Sequence, residues 1–219
     1  VGSEMCIRDS HITTVEGGML ITSDNEISEI AKNLRAFGWI RDMKAKKELA
    51  AKFRDLDERF IFYNIGYNLR PTEIDASFGL QQLKKIDANI RARRANAKYW
   101  LSKMKSFEDL FILPETTPGG NHVWFGFPVT VREGAPFTKN EIVAYMARKG
   151  IETRPLMSGN MVEHPSAELY KHRTIGDLPN ARLVTKNGFF FGNFPQMLRE
   201  EREYIVETIE KFVSLKAKK

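Results

Sequence analysis

The chain has 219 residues, of which 42% are hydrophobic and 28% are charged, a balance typical of a folded globular protein. Its 34 lysines and arginines outnumber its 28 aspartates and glutamates, and the net charge of +6 favours an acidic partner: nucleic acid, a membrane surface or a phosphorylated small molecule. The single cysteine, Cys6, excludes a disulfide framework and any zinc or iron–sulfur site built from three or four cysteines of this chain. No apolar run approaches the length of a membrane span and no secretory signal is visible, so we expect a cytoplasmic protein that does not enter a membrane.

The first ten residues, VGSEMCIRDS, show neither helical nor strand periodicity. They resemble translated adapter sequence at the edge of an assembled reading frame, so we expect residues 1–10 to be non-native and leave them out of the fold argument. On this interpretation Cys6 is not native and the natural protein continues upstream. The alternative is a disordered native tail.

Residues 19–22 (MLIT) form a short apolar run after two glycines and predict a buried strand. Ser23 and Glu26 then have the spacing of a capping box, in which each residue satisfies a free backbone N–H of the other. Apolar residues at helical spacing follow as far as Gly38, so a helix is predicted to begin after Ser23 and to end at Gly38.

Residues 43–59 are rich in charge and are predicted to be helical or partly mobile. From Pro71, a residue suited to the first turn of a helix, one apolar face continues to about Lys105. This pattern predicts a single long helix able to bridge two domains. We therefore expect a domain boundary near Ser106, with domains at 11–105 and 106–219.

The rest of the chain alternates strand and helix patterns, which indicates an α/β fold. The predicted elements are a strand at 122–131, a helix opened by a second capping box (Thr138 and Glu141) and ended at Gly150, a strand at 151–155, a helix near 180–186, a strand at 188–192 and a final helix at 199–214.

Two segments carry candidate binding residues in the first half of the chain. Glu16 precedes Gly17 and Gly18, and two glycines permit close backbone approach, although an ordinary turn is the stronger local interpretation. Asn68 and Arg70 lie directly before the helix that starts near Pro71, where backbone amides and the helix dipole favour a phosphate. The alternative, that Asn68 only caps the helix, stays open.

Further candidates lie in the second half. Arg154 ends a predicted strand before the loop MSGNMVEHP (157–165), which contains Asn160 and has the composition of a binding loop. Arg154 is either an anion binder or part of a surface salt bridge. The basic cluster at 91–94 (RARR) is the best candidate for a nucleic-acid contact, but a solvated helix face explains it better. The histidines lack metal-ligand spacing, and no metal site is expected.

Four blocks taken together resemble the DegT/DnrJ/StrS sugar aminotransferase family, and they follow the family order over nearly all of residues 11–213. The blocks are HITTVEGG (11–18), GYNLRPTEIDASFGLQQL (66–83), HVWFGFP (122–128) and ETRPLMSGNMVEHP (152–165).

This resemblance implies the C-terminal part of a fold type I pyridoxal-phosphate (PLP) enzyme, with the end of the large cofactor-binding domain followed by a small α/β domain. It implies a homodimer that acts on a nucleotide-linked keto sugar, with L-glutamate as amino donor and PLP or pyridoxamine phosphate (PMP) as cofactor. It places Asn68 and Glu16 at the cofactor, and Arg154 and Asn160 at the substrate.

Within the family, the sequence is most similar to the nucleotide-hexulose 3-dehydratases. The aminotransferases carry a cofactor-binding Lys six residues before the motif Glu, and the dehydratases carry a His there that acts as general base. Six residues before Glu16 is Ser10, in the non-native segment, and His11 resembles the second member of a His–His pair. No Lys precedes Lys32, so the chain as written cannot form the Schiff base of the aminotransferases. The resemblance favours the dehydratase chemistry, with Ser10 and His11 marking the catalytic position, and the native residue at position 10 stays open between His and Lys.

Some of these dehydratases carry an iron–sulfur cluster, but residues 42–63 contain no cysteine, so none is expected here. An aminotransferase of the same family remains one alternative, and a basic nucleic-acid-binding module is an alternative from another class. We favour the enzyme and expect no nucleic-acid partner. We further expect the isolated 219-residue chain to bind cofactor poorly and to be inactive.

Overall fold

The computed structural model describes residues 12–217 and shows a mixed α/β chain. The chain divides into two compact units, Thr13–Gln81 and the residues from Gln82 onward. The helices are α1 (Asn25–Arg35), α2 (Lys46–Lys52), α3 (Glu73–Leu83), α4 (Ile86–Met104), α5 (Lys139–Arg148), α6 (Pro179–Asn187) and α7 (Arg199–Ala217), and the strands are β1 (Phe111–Ile112), β2 (Gly126–Val131), β3 (Thr153–Pro155) and β4 (Gly188–Gly192).

Helix α1 is capped one residue later than the sequence predicted. Asp24, not Ser23, accepts hydrogen bonds from the backbone N–H groups of Glu26 (2.8 Å) and Ile27 (3.2 Å). Asp and Ser are nearly equivalent as N-caps, so the pattern alone does not choose between neighbours. The helix ends at Arg35, three residues before Gly38.

The strand predicted at 19–22 is wrong. No strand forms there, and the side chains of Met19 and Ile21 are each 87% exposed. The described part of residues 13–81 contains only two isolated bridges, Ala36 with Asn68 and Trp39 with Phe62, and neither gives the apolar run a partner. An apolar run becomes a buried strand only where a sheet receives it.

The charge-rich stretch at 43–59 contains α2 and a 3₁₀ turn at Glu58–Phe60. Leu49 of α2 packs into a small core with Ile40 and Ile61. The helical part of the prediction is therefore confirmed for α2.

The single long helix predicted from Pro71 is instead two helices, α3 and α4. The break lies at Lys84 and Lys85, where the Lys85 N–H donates to the carbonyl of Gln82 (3.0 Å), three residues back instead of four. Helix α4 joins the C-terminal unit because Trp100 and its neighbours enter that unit's core. The compact units thus divide within the last turn of α3, between Gln81 and Gln82, while the assignment of 11–105 and 106–219 to domains of a whole enzyme stays a prediction.

The C-terminal unit is built on a four-stranded antiparallel sheet in the order β1–β2–β4–β3. Strand β4 has the predicted bounds, whereas β2 begins four residues later than predicted and β1 was not predicted. The sheet packs on α4, α5 and α7 around Trp100, whose ring lies 5.4 Å from that of Phe127 and 5.0 Å from that of Phe191. These aromatic contacts fix the sheet that carries Arg154 and the following loop.

Helix α5 begins as predicted. Thr138 accepts from the Glu141 N–H, and the Glu141 carboxylate accepts from the Thr138 N–H (2.7 Å), which completes the capping box. The helix ends at Arg148, two residues before Gly150, which has a φ of 76°.

Candidate functional site

Asn68 lies in a segment that runs beside the end of α1. The N–H of Tyr67 donates to the carbonyl of Leu34 (2.7 Å), and the N–H of Phe37 donates to the carbonyl of Tyr67 (2.8 Å). A Cβ on Gly66 would lie 2.2 Å from the backbone nitrogen of Gly38, so any side chain at Gly66 would force the two segments apart. Glycine at this position therefore sets where Asn68 stands.

A buried asparagine on α1 completes this arrangement. Asn33 is fully buried; its Nδ2 donates to the carbonyl of Trp39 (2.7 Å) and its Oδ1 accepts from Asn64 Nδ2 (2.8 Å). Sequence reasoning missed Asn33. The available signal was an amide on the buried side of a short amphipathic helix, where a polar residue requires partners.

Asn68 and Arg70 form a pair of exposed donors. The Arg70 Nε donates to Asn68 Oδ1 (3.2 Å), which leaves Asn68 Nδ2 without a hydrogen bond among the described residues. The Arg70 guanidinium also lies 5.0 Å from the centre of the Phe37 ring, a cation–π contact that orients it.

Asn68 does not cap α3. Thr72 and Asp75 satisfy the start of that helix reciprocally: Thr72 N–H donates to Asp75 Oδ2 (3.2 Å), and Asp75 N–H donates to Thr72 Oγ1 (3.3 Å). The capping interpretation of Asn68 is thus wrong, and its amide is available to an acceptor such as a phosphate oxygen.

Glu16 lies in a tight turn. The Glu16 N–H donates to the carbonyl of Thr14 (3.0 Å), Val15 has a φ of 73° and Gly17 a φ of 141°. A β-branched residue in the left-handed region costs about 1–3 kcal/mol, so the surrounding chain must hold this turn in place. The Glu16 side chain is exposed. The turn predicted from the two glycines is present, and a cofactor role for Glu16 stays a prediction.

Ser10 and His11, which mark the predicted catalytic position, lie outside the described residues. Ile12, which follows His11 in the same motif, is the first described residue.

Arg154 makes the surface salt bridge that was its alternative assignment. It lies on β3 with an exposed side chain, and its Nε and Nη2 contact Glu152 Oε1 at 2.8 and 2.6 Å. An exposed pair of this kind exchanges partners at little cost, because its net contribution is about 0–1 kcal/mol. Arg154 therefore remains able to bind an anion by leaving Glu152.

Asn160 is buried, with 4% of its surface exposed. Its Oδ1 accepts from the Val162 N–H (3.4 Å), whereas its Nδ2 is buried without a hydrogen-bond partner. A buried donor without an acceptor is unusual in a folded protein, and Nδ2 is therefore a candidate to donate to a ligand. Arg154 and Asn160 lie in the same compact unit, on either side of the turn at 156–159.

The basic cluster at 91–94 is not a free cationic surface. Arg93 is buried; its Nη1 donates to the carbonyls of Phe125 (3.1 Å) and Asn193, and burial lowers the pKa of its guanidinium. The half-buried Arg94 uses its Nε and Nη2 as donors to the carbonyls of His122 and Asn121, both at 3.0 Å. These arginines fasten the segment before β2 onto α4, so the observation that suggested nucleic acid has a structural explanation.

Within residues 12–217, no three His, Cys, Asp or Glu side chains cluster as metal ligands. In the same part of the chain, no helix is both long and apolar enough to cross a membrane.

Comparison with known proteins defines the class of this mixed α/β chain. Residues 9–210 match the sequence model of the DegT/DnrJ/EryC1/StrS aminotransferase family, so the chain belongs to that family. The resemblance inferred from the four sequence blocks is thereby confirmed.

Particular relatives include a dehydratase and a lipopolysaccharide biosynthesis protein. The chain is 35% identical over 203 residues to the GDP-4-keto-6-deoxy-D-mannose 3-dehydratase of Escherichia coli O55:H7, covering 91% of this chain and 52% of the relative. It is 30% identical to the lipopolysaccharide biosynthesis protein RfbH of Salmonella typhimurium, covering 94% and 49%.

A solved structure agrees with this result. GDP-4-keto-6-deoxymannose-3-dehydratase with a trapped PLP-glutamate geminal diamine superposes with a TM-score of 0.80 and 33% identity, covering 90% of this chain and 51% of that one. The predicted fold class, the C-terminal part of a fold type I PLP-dependent enzyme, is confirmed. The chain spans about half the length of these relatives.

Proposed function

We propose that the protein to which this chain belongs is a PLP- or PMP-dependent dehydratase that removes the C3 hydroxyl of a nucleotide-linked 4-keto-6-deoxyhexose. The observation that carries the proposal is the similarity to 3-dehydratases over nine-tenths of the chain, in sequence and in structure. L-glutamate is the proposed amino donor, since the solved relative holds a PLP-glutamate adduct. The proposed setting is a cytoplasmic homodimer in polysaccharide or deoxysugar biosynthesis.

The described residues fit the cofactor's phosphate. Asn68 Nδ2 and the Arg70 guanidinium are exposed donors side by side, immediately before α3. A guanidinium and an amide provide both charge and direction for a phosphate oxygen. When bound, the cofactor supplies an electron sink for charge that develops on carbon during elimination.

The proposed dehydration needs a general base that accepts a proton, and we place this base at the position before His11. We assign a native His to position 10, where Ser10 stands in this sequence, because the chain is similar to 3-dehydratases in sequence and in structure. A neutral imidazole with a reference pKa of roughly 6.5 accepts a proton at neutral pH. Glu16 lies six residues after this base, and its backbone N–H closes the turn at 14–16.

Substrate binding is assigned to Arg154 and Asn160. Arg154 offers charge to an anionic group once it leaves Glu152, and Asn160 offers an amide donor that has no partner. No iron–sulfur cluster is part of the proposal, because the chain's single cysteine lies in the segment at 1–10.

The test begins with the DNA upstream of His11 in the source. A His codon at position 10 is expected; a Lys codon would make the protein an aminotransferase. The full-length protein is then incubated with a nucleotide-linked 4-keto-6-deoxyhexose, PMP and L-glutamate. A 3-deoxy sugar product supports the dehydratase, and a 4-amino sugar product overturns it.

A further inference from the structure

Thr185 ties the loop that contains Asn160 to helix α6. Its Oγ1 donates to the carbonyl of Ala181 (2.7 Å), one turn earlier in the helix, and accepts from the backbone N–H of Asn160 (2.7 Å). One hydroxyl therefore uses its donor on the helix and its acceptor on the loop. Helix α6 itself is held to the start of α5, because Lys139 Nζ donates to the Thr185 carbonyl (3.0 Å).

The position of the loop that contains Asn160 is fixed against Thr185 by close contact as well as by the hydrogen bond. Gly159 has a φ of 66°, and a Cβ there would lie 2.6 Å from Thr185 Oγ1 and 2.9 Å from its Cγ2. Glycine is thus required at position 159 for two reasons: the backbone has a positive φ, and Thr185 approaches too closely for a side chain. The backbone of the next residue, Asn160, is therefore held by its hydrogen bond to Thr185 and by the close contact at Gly159.

The Asn160 side chain is oriented as well as placed. Its Oδ1 faces the Val162 N–H at 3.4 Å, so the amide is not free to exchange its oxygen and nitrogen, and Nδ2 is the group that lacks a partner. A buried N–H without an acceptor costs free energy comparable with a lost hydrogen bond. Met161 and Val162, the next two residues, are exposed.

We propose that Thr185 is a positioning residue for substrate binding: it holds Asn160 so that Nδ2 donates to an uncharged oxygen, a hydroxyl or a carbonyl, of the nucleotide-linked sugar. An uncharged acceptor is chosen because a single neutral amide would leave a buried phosphate charge uncompensated. This inference rests on the proposed function and adds to it the residue that acts through Asn160.

The experiment uses the full-length protein with its native upstream half and compares Thr185→Val with Thr185→Ser. Valine keeps the branched shape and removes the hydroxyl, whereas serine keeps the hydroxyl. Thr185→Val is expected to raise the KM for the nucleotide sugar about tenfold, the loss of one placed hydrogen bond, with kcat close to wild type. Thr185→Ser is expected to restore the wild-type KM.

Two further measurements separate positioning from a general loss of structure. The Kd of the free nucleoside diphosphate, GDP or dTDP, should not change in Thr185→Val, because Asn160 is assigned to the sugar. In a double-mutant cycle, Thr185→Val should add nothing to the KM of Asn160→Ala, since both changes remove the same contact.

The proposal is overturned if Thr185→Val behaves like Thr185→Ser, if its effect adds fully to that of Asn160→Ala, or if the nucleoside diphosphate Kd rises as much as the KM. Failure of the proposed function has a different signature. In that case the wild-type protein itself converts no nucleotide-linked keto sugar, and the assignment of Asn160 and Thr185 to the sugar falls with it.

Discussion

Asn68 and Arg70 are two donors linked to each other, so a substitution at one changes what the other can do. Asn68→Ala removes one donor and leaves Arg70 in its contact with Phe37. Asn68→Asp places a carboxylate where Oδ1 now accepts from Arg70 Nε at 3.2 Å, and that carboxylate would pair with the guanidinium and repel a phosphate. In the full-length protein, we expect cofactor affinity to fall about tenfold for Asn68→Ala and about a hundredfold for Asn68→Asp.

The measurement is the Kd of PMP, followed by fluorescence or by retention of the cofactor on dialysis. Asn140→Asp makes the same chemical change at an exposed position on α5 and serves as the control. Equal affinities for the alanine and aspartate variants of Asn68 would show that Arg70 does not act with it at the phosphate.

The candidate residues differ in how far sequence alone could place them. Asn68 was named as a candidate because a donor directly before a helix start is a local pattern. That pattern left a capping role open, and only the Thr72–Asp75 pair in the structure removed it. Arg93 was misassigned to a possible surface patch. Its partners, the carbonyls of Phe125 and Asn193, lie far away in sequence, and no spacing rule anticipates such contacts.

At the scale of elements, the contact between the end of α1 and the segment at 66–69 depends on glycine. A Cβ at Gly66 would lie 2.2 Å from the nitrogen of Gly38 and 2.8 Å from the carbonyl oxygen of Leu34, both of which belong to backbone and cannot turn aside. Gly66→Ala should therefore cost about 1–3 kcal/mol of stability and weaken cofactor binding together.

Chemical denaturation of the full-length protein and the PMP Kd test this expectation. Gly192→Ala is the matched control, because a Cβ there meets nothing within 4 Å. A Gly66→Ala protein with normal stability and normal PMP affinity would contradict the close approach.

The start of α5 makes the stability of its unit depend on pH. Lys216 and then the Thr138 N–H and hydroxyl hold the pKa of the Glu141 carboxyl at about 2, below its ordinary 4.5. Because the folded state depresses this pKa, the stabilisation is present above about pH 4.5 and is lost as pH falls towards 2. Glu141→Gln should lower the unfolding temperature at pH 7, and the difference from wild type should shrink across that window.

Thermal unfolding of both proteins between pH 7 and pH 2.5 measures the effect. Glu133→Gln, an exposed change in the loop before α5, controls for the loss of one negative charge. A constant difference at every pH would mean that the carboxylate of Glu141 does not act through its charge.

The same capping box shows which elements sequence can predict. Thr138 and Glu141 satisfy each other within four residues, so the start of α5 was predicted correctly from local chemistry. The run at 19–22 failed because a strand exists only through its partners, and its own composition contains no information about them. The break at Lys84 and Lys85 was not predicted for a related reason. The apolar face continues across the break, and periodicity reports which residues share a face but not where the helical hydrogen bonds are interrupted.

For the whole molecule, the informative feature is the apolar surface of residues 13–81. Folded proteins seldom leave many large apolar side chains exposed in one unit unless another surface covers them. The relatives are about twice as long as this chain. More than half of the surface of each of the following side chains is exposed: Met19, Leu20, Ile21, Ile65, Tyr67, Leu69 and Ile74.

We therefore expect the isolated 219-residue chain to associate with itself through this apolar surface and to bind PMP far below one equivalent. The donors proposed for the phosphate, Asn68 and Arg70, are exposed, and two donors facing water bind an anion weakly because water competes for both. Sedimentation velocity at several concentrations should show concentration-dependent association, and equilibrium dialysis against PMP should show weak binding. The full-length protein, measured in parallel, should hold close to one PMP per chain. If the isolated chain were monomeric and bound PMP near stoichiometrically, its own residues would be sufficient for the site, and the need for the longer protein would be disproved.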